Sequence, residues 1–282
     1  MVITAYAKIN LGLRVLGKRE DGFHDIETIF HRIDLHDELN IDATDSIISV
    51  SADTAALPAD ERNLCWKAVE LLRTETGTPR GAAIRLRKNI PIGAGLGGGS
   101  SDAAAVLTAL PKVWNLSVDA STLAAVALNV GSDVPYFLHN KSAYAESRGE
   151  RLKFVTIPLP FFIVVVTPDI HISTSWAYGE LSKQRRDTSQ RSKLYDGATC
   201  TVATLPDLMK NDFEAIVFEA HPEIAEIKRE LLSHGATHAL MSGSGSSVFG
   251  LFSAENDARR AADYFKSKYF VSMTAPNFIP SL

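Results

Sequence analysis

Residues 93–99 hold five glycines, in the run Gly93-Ala-Gly-Leu-Gly-Gly-Gly99, and Ser100, Ser101 and Asp102 follow before an alanine-rich stretch. Glycine is costly inside a regular element, so this density means a backbone that takes left-handed angles or lies bare against a partner. A bare loop that ends on a helix N-terminus offers free N–H groups and the positive end of the helix dipole, which suits a phosphate. Ser100, Ser101 and Asp102 have the side chains of helix N-caps. Two further segments carry charge. Lys8 lies in an apolar strand pattern with Asn10 two residues on, hence on the same strand face. Taken alone, Lys8 reads as a solvated edge residue. Asp133 follows Gly131 and precedes Pro135, a place where an aspartate also serves as a turn cap. Together, a phosphate loop, a lysine and a carboxylate are the parts of phosphoryl transfer to an alcohol. The carboxylate accepts or orients the hydroxyl proton, and the lysine offsets developing negative charge.

The loop also spells G-x-G-x-x-G at Gly93, Gly95 and Gly98, so a dinucleotide fold is a rival. The motif sits mid-chain, however, not after the first strand. The acid expected about twenty residues on falls at Asp119, where Ala120, Ser121 and Thr122 look like the start of a helix. A Walker A motif is absent.

The elements that must position these groups follow from periodicity. Alternation predicts strands over 2–16, 24–50 and 83–88, with a turn over 20–23. Helical spacing marks 63–73, 101–110 and 122–129, the last closed by Gly131. The apolar run 157–166 reads as a buried strand that restarts the pattern, which puts a domain boundary near residue 155. Beyond it, 170–212 has little periodicity and reads in part as a long connection. Helices are expected over 213–232 and 254–266 around a strand at 236–241. A second glycine-serine turn over 242–247 precedes a strand at 248–252.

The chain has 282 residues, 45% of them hydrophobic, enough for one large domain or two ordinary ones. A net charge of −4 with no basic stripe argues against a nucleic-acid surface. The one basic cluster, Lys183, Arg185 and Arg186 with Arg191 and Lys193 nearby, is diluted by polar residues and reads as a solvated loop. Cys65 and Cys200 lack metal or redox spacing, so free thiols in a reducing cytoplasm are expected. No run is long and unbroken enough to span a bilayer, and no N-terminal targeting signal is visible.

The segments 7–13, 21–24, 91–101, 131–135 and 242–248, with Asn63, occur in an order that resembles the GHMP kinase superfamily over nearly the whole chain. The weakest stretch is 180–212. The resemblance implies an α+β two-domain kinase. Residues 1–154 would form a ribosomal-protein-like α/β domain with a left-handed βαβ crossover, and 155–282 a ferredoxin-like domain. It implies ATP as phosphoryl donor with Mg²⁺, and Lys8 and Asp133 as the catalytic pair, Lys8 keeping Asp133 ionised. Gly95, Leu96, Gly97, Gly98, Gly99, Ser100 and Ser101 would wrap the ATP phosphates, Pro91, Gly93 and Gly243 would belong to the ATP site, and Asn63 and Lys88 would lie near adenine and ribose. Ser100 or Ser101 would be the metal ligand. Within the family the pattern is similar to members acting on a cytidine diphosphate methylerythritol. That implies Asn10 near the acceptor hydroxyl, His24 on the cytosine edge, and Phe23 and Tyr178 on either side of the ring, with Trp176 as the alternative to Tyr178. Phe23 stands where tyrosine is common in the family. The protein would act on small molecules without nucleic acid or membrane, as a monomer or weak homodimer.

Two alternatives remain at this point. A family member acting on a homoserine- or mevalonate-type alcohol would have no use for the 21–24 segment, and a non-catalytic binding protein would have lost Lys8 or Asp133.

Overall fold

A computed structural model describes residues 1–183, 194–195, 202 and 204–280. The basic cluster beyond Lys183, and Cys200, lie outside the described residues.

Strands β1 (Val2–Lys18) and β2 (His24–Thr44) form a long antiparallel hairpin across the 20–23 turn. β3 (Ile48–Ala52) follows, and α1 (Leu64–Thr76) connects it to β4 (Gly81–Arg87), which pairs with it in parallel. Next come α2 (Gly98–Trp114), α3 (Ala120–Val130), α4 (Val134–Phe137), β5 (Ser142–Ser147) and β6 (Arg151–Val155). The first sheet runs β3-β4-β2-β5-β6, with β1 on the other side of β2. The second half holds β7 (Phe162–Thr167), α5 (Thr174–Lys183), α6 (Leu205–Leu208), α7 (Glu214–Ala220), α8 (Pro222–Ser233), β8 (His238–Met241), β9 (Val248–Phe252), α9 (Glu255–Phe265) and β10 (Phe270–Thr274). Its four-stranded antiparallel sheet has the order β10-β7-β9-β8, which with helices between β7 and β8 and between β9 and β10 is a ferredoxin-like arrangement.

Three apolar clusters hold these layers. One packs α1, α2 and α3 on the first sheet, and another packs the C-terminal helices on the second. The third joins the halves: Ile9, Leu11, Ile29 and Ile33 meet Ile163, Val165, Phe249 and Leu251. β7 is buried on both faces, since Val164 and Val166 face the C-terminal helices while Ile163 and Val165 face the hairpin. That double burial explains its unbroken apolar run.

Several expectations change. Strand β7 starts at Phe162 instead of 157, because Pro158 and Pro160 cannot donate to a ladder. The single helix expected over 213–232 is two, α7 and α8, divided at His221 before Pro222. Within 170–212, read only in part as a connection, lie α5 and α6. Helix α2 starts at Gly98 with Gly97 at its N-cap and no side-chain cap, so Ser100, Ser101 and Asp102 are inside the first turns instead of capping them. Asp119 caps α3, its carboxylate accepting from Thr122 N at 2.8 Å, and does not end a strand as a dinucleotide fold requires. Among the described residues no helix is long and apolar enough to cross a membrane.

Candidate active site

A cleft of about 1260 Å³ opens between the two halves. It brings together Lys8, Asn10, Phe23, His24, Asn63, Lys88, Pro91, Asp133, Tyr178 and Gly243 with Gly93, Gly95, Gly97, Gly98, Gly99 and Ser100. These residues come from β1, the hairpin turn and the start of β2, the loops before α1, α2 and α4, the first turn of α2, helix α5 and the turn after β8.

The β1–β2 register breaks on either side of Lys8 and Asn10, but between the breaks they stand opposite Arg32 and Phe30 in regular alternation. They therefore share a face. Lys8 is only 4% exposed, which removes the solvated-edge reading. Its ammonium donates to Asn10 Oδ1 at 2.7 Å and Gly95 O at 3.1 Å, and lies 5.2 Å from the centroid of the Phe30 ring. Burial lowers the Lys8 pKa below 10.5, and the nearby Asp133 carboxylate opposes that shift. The two side chains interact through space without forming an ion pair. Asp133 stands half-buried just before α4, and its carboxylate accepts no hydrogen bond among the described residues, so it is free for a ligand hydroxyl.

Asn10 is committed to the protein. Its carbonyl accepts from Lys8, and its amide donates to Thr28 Oγ1 at 2.7 Å, which in turn donates to Gly12 O at 2.7 Å. These bonds aim Lys8, while Asn10 itself also lines the cleft.

The glycine loop has two physical reasons for its composition. At Gly97 (φ 71°), the left-handed backbone opens α2 without a side-chain cap, leaving its first N–H groups to face the cleft. At Gly95 (φ 78°), a Cβ would lie 2.1 Å from Ser242 O, because this loop packs backbone to backbone against the turn after β8. Ser242 Oγ donates to Gly95 O at 2.9 Å and Ser247 N to Ala94 O at 3.2 Å. Part of the glycine content thus serves loop–loop contact, a role the sequence analysis did not assign.

Four other expected site residues also make contacts within the protein. Leu96 is buried in the apolar cluster between the halves, and only its carbonyl takes part, accepting from Lys8 N at 3.0 Å. Ser101 is buried and donates to Tyr6 O at 2.7 Å, away from the cleft. Asn63 caps α1, accepting from Cys65 N at 2.9 Å and donating to Pro58 O at 2.8 Å. Lys88 is clamped by Asp37 and, at 2.8 Å, by Asp102. Burial disfavours the Lys88 charge, but the two carboxylates outweigh it and raise its pKa. Burial pushes the Asp102 carboxyl well above the ordinary carboxylate range. Sequence reasoning missed this ion cluster. Its signal was an aspartate within an alanine-rich helix otherwise made of buried residues.

At the far end, the His24 ring stacks on Tyr178 with centroids 4.7 Å apart at 22°, and His24 Nε2 lies 2.9 Å from Ser182 Oγ. Phe23 is exposed, under the Arg148 guanidinium at 4.9 Å. Phe23 and Tyr178 thus flank the same end of the cleft, with His24 against Tyr178. Trp176 lies outside the cleft lining and meets His221 edge-on at 5.9 Å.

For a metal, the donor set is thin. Among the described residues no group of three His, Cys, Asp or Glu side chains is placed to hold one. Asp102 gives Oδ2 to Lys88 and its Oδ1 has no hydrogen-bond partner among the described residues, so Asp102 and the Ser100 hydroxyl are the oxygen donors of the lining beside the loop.

Residues 63–141 match the profile of the GHMP kinases N terminal domain, and 201–271 that of the GHMP kinases C terminal domain. The chain is 45% identical over 281 residues to a 4-diphosphocytidyl-2-C-methyl-D-erythritol kinase of Chlorobium phaeobacteroides (strain BS1), covering 98% of this chain and 97% of the relative. It is 43% identical over 286 residues to the protein of the same description from Chlorobium chlorochromatii (strain CaD3), covering 99% and 98%. Among solved structures, a 4-(cytidine 5'-diphospho)-2C-methyl-D-erythritol kinase superposes with a TM-score of 0.82 at 36% identity, over 97% of this chain and 98% of that one. A homoserine kinase from Cytophaga hutchinsonii shares the fold, with a TM-score of 0.76 at 19% identity over 98% and 95%.

Proposed function

From a chain that belongs to the GHMP kinase family, with the activity of its 4-diphosphocytidyl-2-C-methyl-D-erythritol kinases, we propose that Asp133 and Lys8 are the pair that moves the γ-phosphoryl of ATP to the C2 hydroxyl of that alcohol. The observation that carries this assignment is the pairing of an unengaged carboxylate with a buried, aimed ammonium beside an uncapped helix N-terminus.

Asp133 takes or orients the hydroxyl proton. The acceptor is a tertiary alcohol, so alignment matters more than base strength, and alignment alone supplies on the order of 7–11 kcal/mol. Lys8 lies against Gly95 of the phosphate loop, where its charge opposes the negative charge developing on the transferred group. The first N–H groups of α2 receive ATP phosphates. Ser100 would be a protein donor to a Mg²⁺ bound with the triphosphate, and such an ion would supply charge neutralisation there. Asn63 and Lys88 line the cleft through packing and a neutralised charge, and we place adenosine against them. Phe23, His24 and Tyr178 hold the cytosine. Stacking contributes about 1–3 kcal/mol for a base, and a polar edge partner rejects bases lacking the matching groups.

We place the division just after residue 155, since the first sheet ends with β6 at Val155 and the second begins with β7 at Phe162. A monomer or weak homodimer in a reducing cytoplasm suits the buried free thiol of Cys65.

The test is ADP release with a panel of alcohols. The cytidine diphosphate compound should exceed homoserine and mevalonate in kcat/KM by orders of magnitude. Equal turnover across the panel would overturn the substrate assignment.

A further inference from the structure

One cation at the cleft has no part in the mechanism above. Arg148 sits in the hairpin turn between β5 and β6 and lines the cleft. Its guanidinium lies 4.9 Å from the Phe23 ring centroid and donates no hydrogen bond among the described residues. Its ion pair, with Glu150, is a loose one at 4.0 Å, and Asp21 is the other carboxylate close enough to feel it. The next residue, Gly149, lies against the catalytic carboxylate: a Cβ there would be 3.5 Å from Asp133 Oδ1. Arg148 therefore stands between the base end of the cleft, at Phe23, and the phosphoryl-transfer end, at Asp133. Lys18, the cross-strand partner of His24, also lines this stretch and forms no ion pair among the described residues.

We propose that Arg148, assisted by Lys18, forms a subsite for the diphosphate of the nucleotide-linked alcohol. The inference rests on the reading of Phe23, His24 and Tyr178 as the base site. With the base held there and the acceptor hydroxyl at Asp133, the diphosphate linking them must cross the space under Arg148. A guanidinium presents paired donors to two phosphate oxygens at once. Held over an aromatic ring with its donors unspent, it is ordered before the ligand arrives, which reduces the entropy lost on binding.

The test is competition against the alcohol substrate at saturating ATP, with cytidine and with CDP. In the wild-type enzyme CDP should inhibit more tightly than cytidine. Arg148→Met keeps the apolar contact over Phe23 and should cut the CDP advantage about tenfold while leaving cytidine inhibition unchanged. Arg148→Lys, which restores the charge, should recover part of it. If cytidine competes but the CDP advantage survives Arg148→Met, the diphosphate subsite is wrong and the base site stands. If neither compound competes with the alcohol, the base site itself is wrong and the subsite goes with it. A variant that weakens cytidine and CDP equally also counts against the subsite, because the loss then lies at Phe23 or in the fold.

Discussion

Asn10 accepts from the Lys8 ammonium through Oδ1 and donates to Thr28 through Nδ2, both at 2.7 Å. The donor bond to Thr28 sets which way the amide faces, so the acceptor must point at the lysine. Asn10→Ala should lower kcat by about tenfold or more, with the KM for ATP little changed. Thr28→Val should show a smaller effect of the same kind. Steady-state kinetics on both variants decides it, and an unchanged kcat in Asn10→Ala would remove the aiming role.

Asp133 carries the proton step in this reading. Asp133→Asn keeps the shape and loses the charge, so kcat should fall by about 10²–10⁴-fold. ATP affinity, measured by calorimetry, should hardly change. A variant with wild-type turnover would exclude Asp133 as the catalytic carboxylate.

Lys8 gives the reaction an alkaline limit. Its pKa is lowered below 10.5 by burial and partly restored by Asp133. The charge that opposes the developing phosphoryl charge is thus present below that lowered pKa and lost as pH rises through it. The alkaline limb of kcat should fall at a pH below 10.5. In Asp133→Asn it should move lower still, because the opposing Coulomb interaction is gone. NMR titration of the Lys8 side chain in both proteins measures this directly. An identical lysine pKa in the two would show that the residues are not coupled.

Gly95 and Gly99 separate loop packing from ligand contact. At Gly95 the backbone is left-handed and a Cβ would strike Ser242 O, so Gly95→Ala should lower the melting temperature and abolish activity. At Gly99 the nearest atom to a Cβ is Leu64 Cδ1 at 3.6 Å, ordinary contact. Gly99→Ala should fold normally yet raise the KM for ATP, because the methyl group stands where the phosphates approach. Normal ATP kinetics in the Gly99 variant would move the phosphates elsewhere.

His31 makes the fold acid-sensitive. It is buried, with Nδ1 2.8 Å from Ser142 Oγ, and burial lowers its pKa from 6.5 to about 4. The unfolded chain therefore binds a proton that the folded chain refuses between those values. Stability from this residue is complete above pH 6.5 and is lost as pH falls toward 4, by roughly 3 kcal/mol. His31→Gln should flatten the pH dependence of urea unfolding in that window. A slope identical to wild type would assign the acid lability to other groups.

The elements were largely legible in the sequence. Alternation marked the β1–β2 hairpin, helical spacing over 63–73 marked α1, and the glycine loop ahead of an alanine-rich run marked the entry to α2. Where expectation failed, short-range signals were outranked: prolines delayed β7 and split α7 from α8, and Gly97, not a serine, opened α2.

Residue types and order alone determined that this chain carries a glycine loop, a lysine in an apolar strand and an aspartate before a proline, because glycine density and strand alternation are local properties. Only the tertiary structure decided what each side chain is spent on. Lys88 is neutralised by Asp37, 51 residues away, and by Asp102. Gly95 is glycine because Ser242, distant in sequence, needs its space. Hydrogen-bond saturation and close packing between remote segments have no periodicity, so no local pattern records them. The same packing left Asp133 unengaged beside an aimed Lys8, and that difference in commitment is the ground on which we propose these two as the reacting pair.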